Sequence, residues 1–362
     1  MATAARSELA ISLITLGDPG RRTGGYLYHA RMAEAAPRHK ASIDFVCVPD
    51  RVFPLAVLGG RRVLAEALAR RPDAILVDSI AAAFVAPWLA SRSRDVPIIG
   101  VLHQAPGGIG HRWPRRVVQA PLDSLLYRRA TRLVVASDAL VPKLVDKGVQ
   151  RERIRAVPPG RDVVREQVGT ARDLRHGREA AFLCVANWMP HKGILELLEA
   201  FAGLPDSAGT LHLAGDVEAD RAYGAKVRDR LSQSDLSGRV VVHGWLAREQ
   251  VADLYHACDV FVLPAFDETY GTAFGEAMAC GLPVVGWRAG NLPELAEHER
   301  EGILLEPGDV PALRSALSRL AIDPALRSRL GDAGRERAES SPTWDESASA
   351  FFASIREVVA RR

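Results

Sequence analysis

The sequence has few cysteines, few aromatic residues and no long apolar run. Its four cysteines, Cys47, Cys184, Cys258 and Cys280, show neither a metal-ligand nor a redox spacing. We interpret them as small buried core residues in a reducing compartment, which predicts a cytoplasmic protein. No window approaches the roughly 18 apolar residues of a membrane span. Because Glu8 interrupts the short apolar stretch near the N-terminus, that stretch favours a buried first strand over a signal peptide.

Low-complexity tracts and internal repeats of solenoid length are also missing, which excludes disordered and solenoid classes. The composition, 48% apolar and 25% charged over 362 residues, is that of a globular protein with room for two domains. The net charge of +3 is unevenly spread: residues 1–160 carry 24 Lys and Arg against 13 Asp and Glu, and residues 161–362 carry 23 against 31. A basic half suits an anionic partner on one lobe, although an arginine-rich surface without a partner explains it equally well.

Apolar runs alternate with helix-period segments along the whole chain, which predicts parallel sheets covered on both faces. The strands expected in the first half are Leu9–Leu16, Ile43–Val48, Ala74–Val77, Pro97–Leu102, Arg132–Ala136 and Ile154–Val157. The strands expected in the second half are Ala180–Ala186, Thr210–Ala214, Val240–His243, Asp259–Leu263, Pro283–Gly286 and Gly302–Leu305. The fold class is therefore α/β, with two doubly wound parallel sheets.

The segment VPPGRD, residues 157–162, marks the boundary between the two halves, and the polar stretch 161–179 is predicted to be a linker. This gives a first domain over residues 1–165 and a second over residues 166–342. The segment SSPTW separates a last expected helix, Trp344 to Ala360, from the regular alternation of strands and helices. We expect residues 343–362 to return to the first domain.

Two features of the first half lie where open α/β sheets bind ligands. The first expected strand is followed by a glycine-rich stretch that includes Gly24 and Gly25, where bare backbone can approach an anion at a helix N-terminus. It has no GxGxxG pattern, so a plain turn is the alternative. His103 follows the fourth strand, and a structural hydrogen-bonding histidine is the alternative there.

Residues 111–132 form a basic, partly amphipathic segment with six arginines among apolar residues. Such a segment can lie against anionic lipid or hold an anionic acceptor. A helix whose apolar side packs on its own sheet is the competing interpretation, and we favour it because apolar stripes usually face cores.

The second half carries the residues best suited to chemistry. Lys192 precedes a helix at the end of the first strand of that half, where its charge and helix amides favour a phosphate. Glu268 and Glu276 follow the fourth strand with seven residues between them, and ionised carboxylates accept hydrogen bonds from paired hydroxyls of sugars and riboses. The structural alternatives are a surface lysine and an acid favoured by the helix dipole.

The stretch LPAFDETYGTAFGEAMACGLPVVGWRAGNLPE resembles the signature of retaining glycosyltransferases of family 4, which have the GT-B fold. Further matches fall in the family's order along nearly the whole chain: TGG, His103, VASDAL, VPPGRD, HKG, LAGD, HGWL and GILLEPGD. The resemblance implies two Rossmann-like domains facing across a cleft. It also implies a nucleoside-diphosphate sugar as donor and a hydroxyl acceptor, which is a small molecule, a glycan or a lipid; nucleic acid is not an expected partner.

By the same resemblance, Glu276 would hold the ribose, Glu268 the transferred sugar and Lys192 the diphosphate, with His103 beside the sugar. The other donor-binding residues that the resemblance implies are Gly24, Gly25, Asn187, Gly244, Trp245, Tyr270, Gly271, Thr272, Ala273 and Phe274. One position departs from the family, which usually has an arginine five residues before the lysine; here Asn187 stands there. Arg21 or Arg22 could supply the charge instead, since an asparagine carries none.

The resemblance implies transfer of a hexose-type sugar with retention. No Asp-x-Asp triplet is present, so we expect the reaction to need no metal or other cofactor. Two alternatives remain open: a GT-B nucleotide-sugar epimerase or phosphorylase, and a non-catalytic nucleotide-sugar-binding protein. The predicted location is the cytoplasm, with peripheral contact at the inner face of the membrane through residues 111–132 as an added hypothesis.

Overall fold

A computed structural model describes residues 8–20, 24–49, 55–91, 96–108, 113–161 and 173–361. The chain divides into two compact units. Unit 1 comprises residues 1–160 and 342–362, and unit 2 comprises residues 161–341. The C-terminal helix therefore belongs to the first unit.

Unit 1 contains a six-stranded parallel sheet in the order β2-β1-β3-β4-β5-β6. Its strands are β1 (Leu9–Leu16), β2 (Ala41–Val48), β3 (Ala74–Asp78), β4 (Ile98–Leu102), β5 (Arg132–Val135) and β6 (Ile154–Ala156). The three strands β3, β4 and β5 are nearly continuous in buried residues, which is typical of a sheet covered on both faces. The order reverses at the β1–β3 pair, so the loops after these strands meet at one point of the carboxyl edge.

Helices cover both faces of this sheet. They are α1 (Gly24–Ala35), α2 (Gly60–Ala69), α3 (Ala82–Val85), α4 (Trp113–Arg129), α5 (Leu140–Val145) and the C-terminal α13 (Trp344–Ala360). One apolar layer joins α1 and α13 to the sheet and includes Tyr28 and Phe351. The other apolar layer joins the helices α2, α3, α4 and α5 to the sheet and includes Leu64, Phe84 and Leu126.

Unit 2 contains a second six-stranded parallel sheet, in the order β12-β11-β10-β7-β8-β9. Its strands are β7 (Ala180–Val185), β8 (Gly209–Ala214), β9 (Val240–Gly244), β10 (Val260–Val262), β11 (Val284–Trp287) and β12 (Gly302–Leu305). Its first and fourth strands are neighbours, which is the order of dinucleotide-binding sheets. The loops after β7 and β10 therefore lie together at the switch point.

The helices of unit 2 are α6 (Ile194–Ala202), α7 (Arg221–Leu231), α8 (Arg248–Ala257), α9 (Thr272–Ala279), α10 (Leu292–Leu295), α11 (Val310–Ile322) and α12 (Pro324–Glu339). They enclose one apolar core with the sheet, built around Phe182, Phe201 and Phe261. All twelve predicted strands are present, with ends displaced by no more than two residues from the sequence-based bounds.

Two predictions are wrong in part. Cys47 is exposed rather than buried, because it lies on the outward face of the edge strand β2. The predicted linker is also too long: residues 173–179 pack on unit 2, where Leu174 is buried and the Arg175 guanidinium binds Asp259. The rest of that linker, residues 162–172, lies outside the described residues, as do Arg21, Arg22 and residues 111–112 of the basic segment.

Candidate active site

Lys192 and Glu268 form an ion pair at the switch point of the unit 2 sheet. Lys192 ends a short turn after β7, and Glu268 lies in the loop after β10. Their side chains are only 18% and 19% exposed. The structure thus brings together two of the three residues that the sequence singled out in this half, although 76 positions separate them.

The two loops are held together by backbone contacts. The Phe266 amide donates to the His191 carbonyl at 2.8 Å. Gly193 adopts φ 69°, and a Cβ at this position would lie 2.0 Å from the Pro264 carbonyl oxygen. Only glycine permits both the left-handed conformation and this close approach, which places Lys192 directly over the β10 loop.

A second set of contacts fixes the Glu268 loop from the opposite side. Asn291, a buried side chain, donates its amide to the Tyr270 carbonyl at 2.8 Å, and its backbone N–H donates to the Glu268 carbonyl at 2.8 Å. Burial raises the pKa of the Tyr270 hydroxyl to about 12. Asn291 is a positioning residue that the sequence reasoning missed, although it lies within the family-like stretch.

Glu276, in α9, is held by two donors from α8. Arg248 donates to its Oε1 at 3.3 Å and the Tyr255 hydroxyl donates to its Oε2 at 3.2 Å. Burial raises the pKa of Glu276 above its ordinary value, and both partners partly offset that effect. The pair of oxygens is therefore fixed while each keeps a further lone-pair site for a ligand.

At the start of α9, backbone groups rather than side chains are available to a ligand. Gly271 precedes the helix with φ 84°, and its carbonyl accepts the Phe274 amide at 3.0 Å. The Phe274 ring is buried against Phe261, so this residue serves the core. Thr272 and Ala273 are the first residues of the helix, where amides lack intrahelical acceptors and suit an anion.

Asn187, the departure from the family pattern, has a structural partner. Its Oδ1 accepts the Asp216 amide at 2.9 Å, which joins the loops after β7 and β8. Gly244 is the last residue of β9, on the far side of β8, and Trp245 follows it; Gly244 adopts φ 67° and Trp245 is exposed. The Asn187 side chain therefore carries a loop contact where the family usually has a cation.

His103 lies in unit 1, inside a cluster at the carboxyl edge of that sheet. Its ring packs edge-on against Tyr28 and His29 of α1, with centroid distances of 5.0 and 4.9 Å. Gly25 adjoins it, since a Cβ there would lie 3.2 Å from the imidazole. Burial, assisted by His29, lowers the pKa of His103 to about 3, so the ring is neutral at physiological pH.

His29 and Asp78 complete this cluster, and the sequence reasoning missed both. Asp78 ends β3, and an acid at the end of a buried strand was a usable signal; nothing marked His29. The ligand atoms of His29, Asp78 and His103 lie within 4.8 Å of one another, a donor set that fits a divalent metal. The expectation of a metal-free protein therefore stays a prediction.

Known proteins agree with this architecture. The sequence model of the glycosyl transferase 4-like domain matches residues 2–160, and that of glycosyl transferases group 1 matches residues 171–337. D-inositol 3-phosphate glycosyltransferase of Xylanimonas cellulosilytica is 28% identical over 76% of this chain and 70% of its own length. The sulfoquinovosyl transferase SQD2 of Arabidopsis thaliana is 26% identical over 82% of this chain and 59% of its own length.

Solved structures share the fold. Sucrose-phosphate synthase from Thermosynechococcus elongatus has a TM-score of 0.81 at 22% identity, with 98% of this chain and all of that chain covered. Anabaena HepE in complex with UDP and glucose has a TM-score of 0.79 at 20% identity, with 97% and 100% covered. The fold and the sequence models define a glycosyltransferase. The chain belongs to the GT-B glycosyltransferases of the group 1, or family 4, type.

Among the described residues, no helix combines the length and apolar character needed to cross a bilayer. Peripheral contact through residues 111–132 stays a prediction. Within that segment α4 leaves Val117 and Val118 each 50% exposed.

Proposed function

We propose that the protein transfers a hexose-type sugar from a nucleoside-diphosphate sugar to a hydroxyl acceptor, with retention at the anomeric carbon. The observation that carries the proposal is the arrangement of Lys192, Glu268 and Glu276 around the carboxyl edge of the unit 2 sheet. A cation, a nearby carboxylate and a fixed second carboxylate match the diphosphate, the sugar and the ribose of such a donor in chemical type.

In this proposal the ribose hydroxyls donate to Glu276, whose oxygens Arg248 and Tyr255 hold in place. The transferred sugar donates hydroxyls to Glu268. Lys192 and the first amides of α9 bind the diphosphate, since a helix N-terminus and an ammonium both stabilise phosphate charge. Diphosphate binding would draw Lys192 away from Glu268 and leave that carboxylate free for the sugar.

The chemical step needs stabilisation of a departing anion rather than a nucleophile. The bond between the anomeric carbon and the phosphate oxygen breaks, the acceptor oxygen attacks from the same face, and the departing phosphate takes the acceptor's proton. Lys192 and the α9 amides stabilise the charge that develops on the leaving diphosphate. The family resemblance would place His103, whose ring is neutral, beside the transferred sugar.

We further propose that no metal or other cofactor takes part, which the missing Asp-x-Asp triplet supports. His29, Asp78 and His103 are the donor set that could hold a divalent ion, and a bound ion would supply Lewis-acid stabilisation of charge. Transfer that is unchanged by a chelator would support the metal-independent proposal.

The test starts with donors. The protein is mixed with UDP-, GDP- and ADP-sugars, and its melting temperature is followed because a ligand that binds the folded state raises it. Acceptors are then added to the stabilising donor, and free nucleoside diphosphate is measured. Release that requires an acceptor identifies transfer. Conversion of the sugar without an acceptor identifies an epimerase, and a sugar 1-phosphate formed from a glycan and inorganic phosphate identifies a phosphorylase. Absence of stabilisation by every nucleotide sugar would contradict the proposal and favour a protein that lost catalysis.

The acceptor is proposed to bind unit 1, whose residues 1–160 carry the basic excess. Membrane-associated and soluble acceptors make different demands on α4. A lipid acceptor would use its exposed valines and arginines, whereas a soluble one would not.

A further inference from the structure

The N-terminus of α6, directly after Lys192 and Gly193, is capped by a tyrosine from the next helix. The Tyr223 hydroxyl oxygen of α7 accepts the Leu195 amide at 3.1 Å and also contacts the Ile194 amide. These are the first two amides of α6, and they have no acceptor within the helix. The sequence predicts that helix amides beside Lys192 bind a phosphate, but here Tyr223 already occupies them.

The groups around this helix end disfavour an additional anion. Tyr223 is only 7% exposed, and burial raises the pKa of its hydroxyl to about 12, so the phenol is neutral at physiological pH. Glu196 is the third residue of α6, and its Oε2 is buried without a hydrogen-bond partner among the described residues. The phenol therefore satisfies the amides, while the Glu196 carboxylate interacts favourably with the helix dipole and repels a phosphate.

Asn187 helps to hold the segment that carries Tyr223. Its Oδ1 accepts the Asp216 amide at 2.9 Å, and the Trp188 amide donates to the Asp216 carbonyl at 2.9 Å. These bonds fix the loop between β8 and α7 against the loop after β7. At the end of the same loop, the Asp220 carboxylate accepts the Tyr223 amide at 3.0 Å. The residue that stands where the family usually has an arginine thus belongs to the support of Tyr223.

The N-terminus of α9 differs from that of α6. Helix α9 begins at Thr272 and follows Gly271, which has no side chain that could accept a hydrogen bond, and no side chain of the described residues caps it. Lys192 pairs with Glu268, in the loop that leads from β10 to α9. The cation and the uncapped helix amides therefore both belong to the α9 side of the switch point.

We propose that Asn187 and Tyr223 are positioning residues that close the N-terminus of α6 to anions and so direct the donor diphosphate to Lys192 and α9. The identity of the anion rests on the proposed function, whereas the closure of α6 rests only on contacts within unit 2. A second cation on the α6 side is then not needed, which agrees with Asn187 in place of the usual arginine.

The test follows one amide of each helix. The full-length protein is isotope-labelled on the amide nitrogens of leucine and threonine, and the Leu195 and Thr272 resonances are assigned from Leu195→Met and Thr272→Ser. Inorganic pyrophosphate is the probe, because it offers the charge of a diphosphate without a base or a sugar. In the wild type we expect pyrophosphate to shift the Thr272 amide and to leave the Leu195 amide in place.

Tyr223→Phe removes the acceptor oxygen and keeps the ring, so the Leu195 amide should then shift with pyrophosphate as well. The kcat for the stabilising donor should fall by roughly tenfold, because the diphosphate is held part of the time in a second position. The Kd of the nucleoside diphosphate should not weaken, whereas general damage to unit 2 would weaken it. Tyr127→Phe removes a buried hydroxyl from α4 of unit 1 and is the matched control, with both quantities unchanged.

Asn187→Ala is the second variant, and it carries the test if Tyr223→Phe does not fold. It removes the acceptor of the Asp216 amide and leaves the Tyr223 hydroxyl intact. The Leu195 amide should therefore shift with pyrophosphate, but at a higher concentration than in Tyr223→Phe.

An unshifted Leu195 amide in both variants would overturn the proposal, as would a Leu195 amide that shifts in the wild type as much as that of Thr272. A Thr272 amide that pyrophosphate leaves unshifted in the wild type would overturn the assignment to α9. A wild-type protein that releases no nucleoside diphosphate from any sugar donor would defeat the proposed function alone, because the pyrophosphate titration still shows whether Tyr223 closes α6.

Discussion

Lys192 and Glu268 form an ion pair that is about four-fifths buried, between the loops that follow the first and fourth strands of the unit 2 sheet. Partial burial makes each side chain dependent on the other, because an unpaired charge is expensive away from water. The pair occupies the place where such sheets bind phosphate-containing ligands. In the proposed reaction, Lys192 would bind the diphosphate of the donor and Glu268 would bind its sugar, and each contact would replace the ion pair between them.

Replacing Lys192 by alanine should lower kcat/KM for the donor by roughly 100- to 1000-fold, since one preorganised donor to the leaving group is lost. Lys192→Arg should recover only part of the rate, because a planar guanidinium does not replace a compact ammonium. Initial rates at varied donor concentration measure both. Lys226→Ala, which removes an exposed lysine from α7 in the same unit, is the control. Equal activity of Lys192→Ala and Lys226→Ala would exclude Lys192 from the site.

Nucleotide affinity should depend on pH through Glu276. Its ionised form accepts ribose hydroxyls, so affinity falls as pH falls through its pKa, which burial places above the ordinary 4.5. Arg248→Ala removes a group that lowers this pKa, and the loss of affinity should then begin at a higher pH. Glu276→Gln should bind weakly at every pH and lose this dependence.

Calorimetric titration with the nucleoside diphosphate between pH 5 and pH 8 measures the effect, and we expect Arg248→Ala to weaken binding by about tenfold at the acidic end of this range. Arg221→Ala is the matched control, because Arg221 is an exposed arginine of α7. A pH profile of Arg248→Ala that overlays the wild type would mean that Arg248 does not act on Glu276.

The sequence predicted the features that depend on one helix or strand alone. Apolar runs such as Leu9–Leu16 and Gly302–Leu305 marked strands with their observed ends, because burial on both faces of a sheet demands continuous apolar residues. Lys192, Glu268 and His103 could be placed at strand ends from the alternation and the family-like motifs. Which side chain meets which across the sheet could not be read in this way.

The contact between His29 and Asp78 could not be predicted from the sequence. They are 49 positions apart, and their contact depends on the docking of α1 beside the end of β3, which local periodicity does not encode. The same holds for Arg248 with Glu276, since they lie on the separate helices α8 and α9, and local periodicity does not show that these helices meet. The burial of Cys47 was predicted wrongly, because an apolar strand sequence does not show that the strand lies at the edge of its sheet.

Gly193 should be intolerant of alanine for two separate reasons, and Gly238 distinguishes them. The two glycines have φ of 69° and 68°, but a Cβ at Gly193 meets the Pro264 carbonyl at 2.0 Å and one at Gly238 meets nothing within 4 Å. Gly238→Ala should cost about 1–2 kcal/mol for the left-handed conformation alone. Gly193→Ala adds the clash and should cost roughly 2–5 kcal/mol in total. Urea denaturation of both variants measures the difference, and equal losses would show that the β10 loop yields to the added methyl group.

Asp123 should make the stability of the protein fall as pH rises. This α4 residue accepts the Gly107 amide at 2.9 Å, and burial raises its pKa from 3.8 to about 7. The pKa of Asp123 is higher in the folded protein than in the unfolded chain. Its contribution to the free energy of unfolding is therefore complete below about pH 4 and is lost as pH rises to about 7 and beyond, by up to roughly 4 kcal/mol.

Asp123→Asn keeps an acceptor for Gly107 and removes the charge, so its melting temperature should fall less than that of the wild type between pH 5 and pH 8. Asp138→Asn, at an exposed position of unit 1, should follow the wild type. Parallel melting curves for the wild type and Asp123→Asn would show that Asp123 does not ionise in this range.

Peripheral membrane contact, if α4 provides it, should depend on Val117 and Val118. Both are 50% exposed beside the exposed Arg116, an arrangement that suits an interface between acyl chains and anionic headgroups. Replacing both valines by serine should weaken binding to vesicles of phosphatidylglycerol and phosphatidylcholine by about tenfold or more, because part of roughly 1.5 kcal/mol per valine is lost. Flotation measures the bound fraction, and salt should weaken wild-type binding through the arginines. Leu58→Ser is the control, since Leu58 is 72% exposed in the same unit but outside the segment. Equal flotation of the double variant and Leu58→Ser, or none by the wild type, would leave α4 as an ordinary surface helix and favour a soluble acceptor.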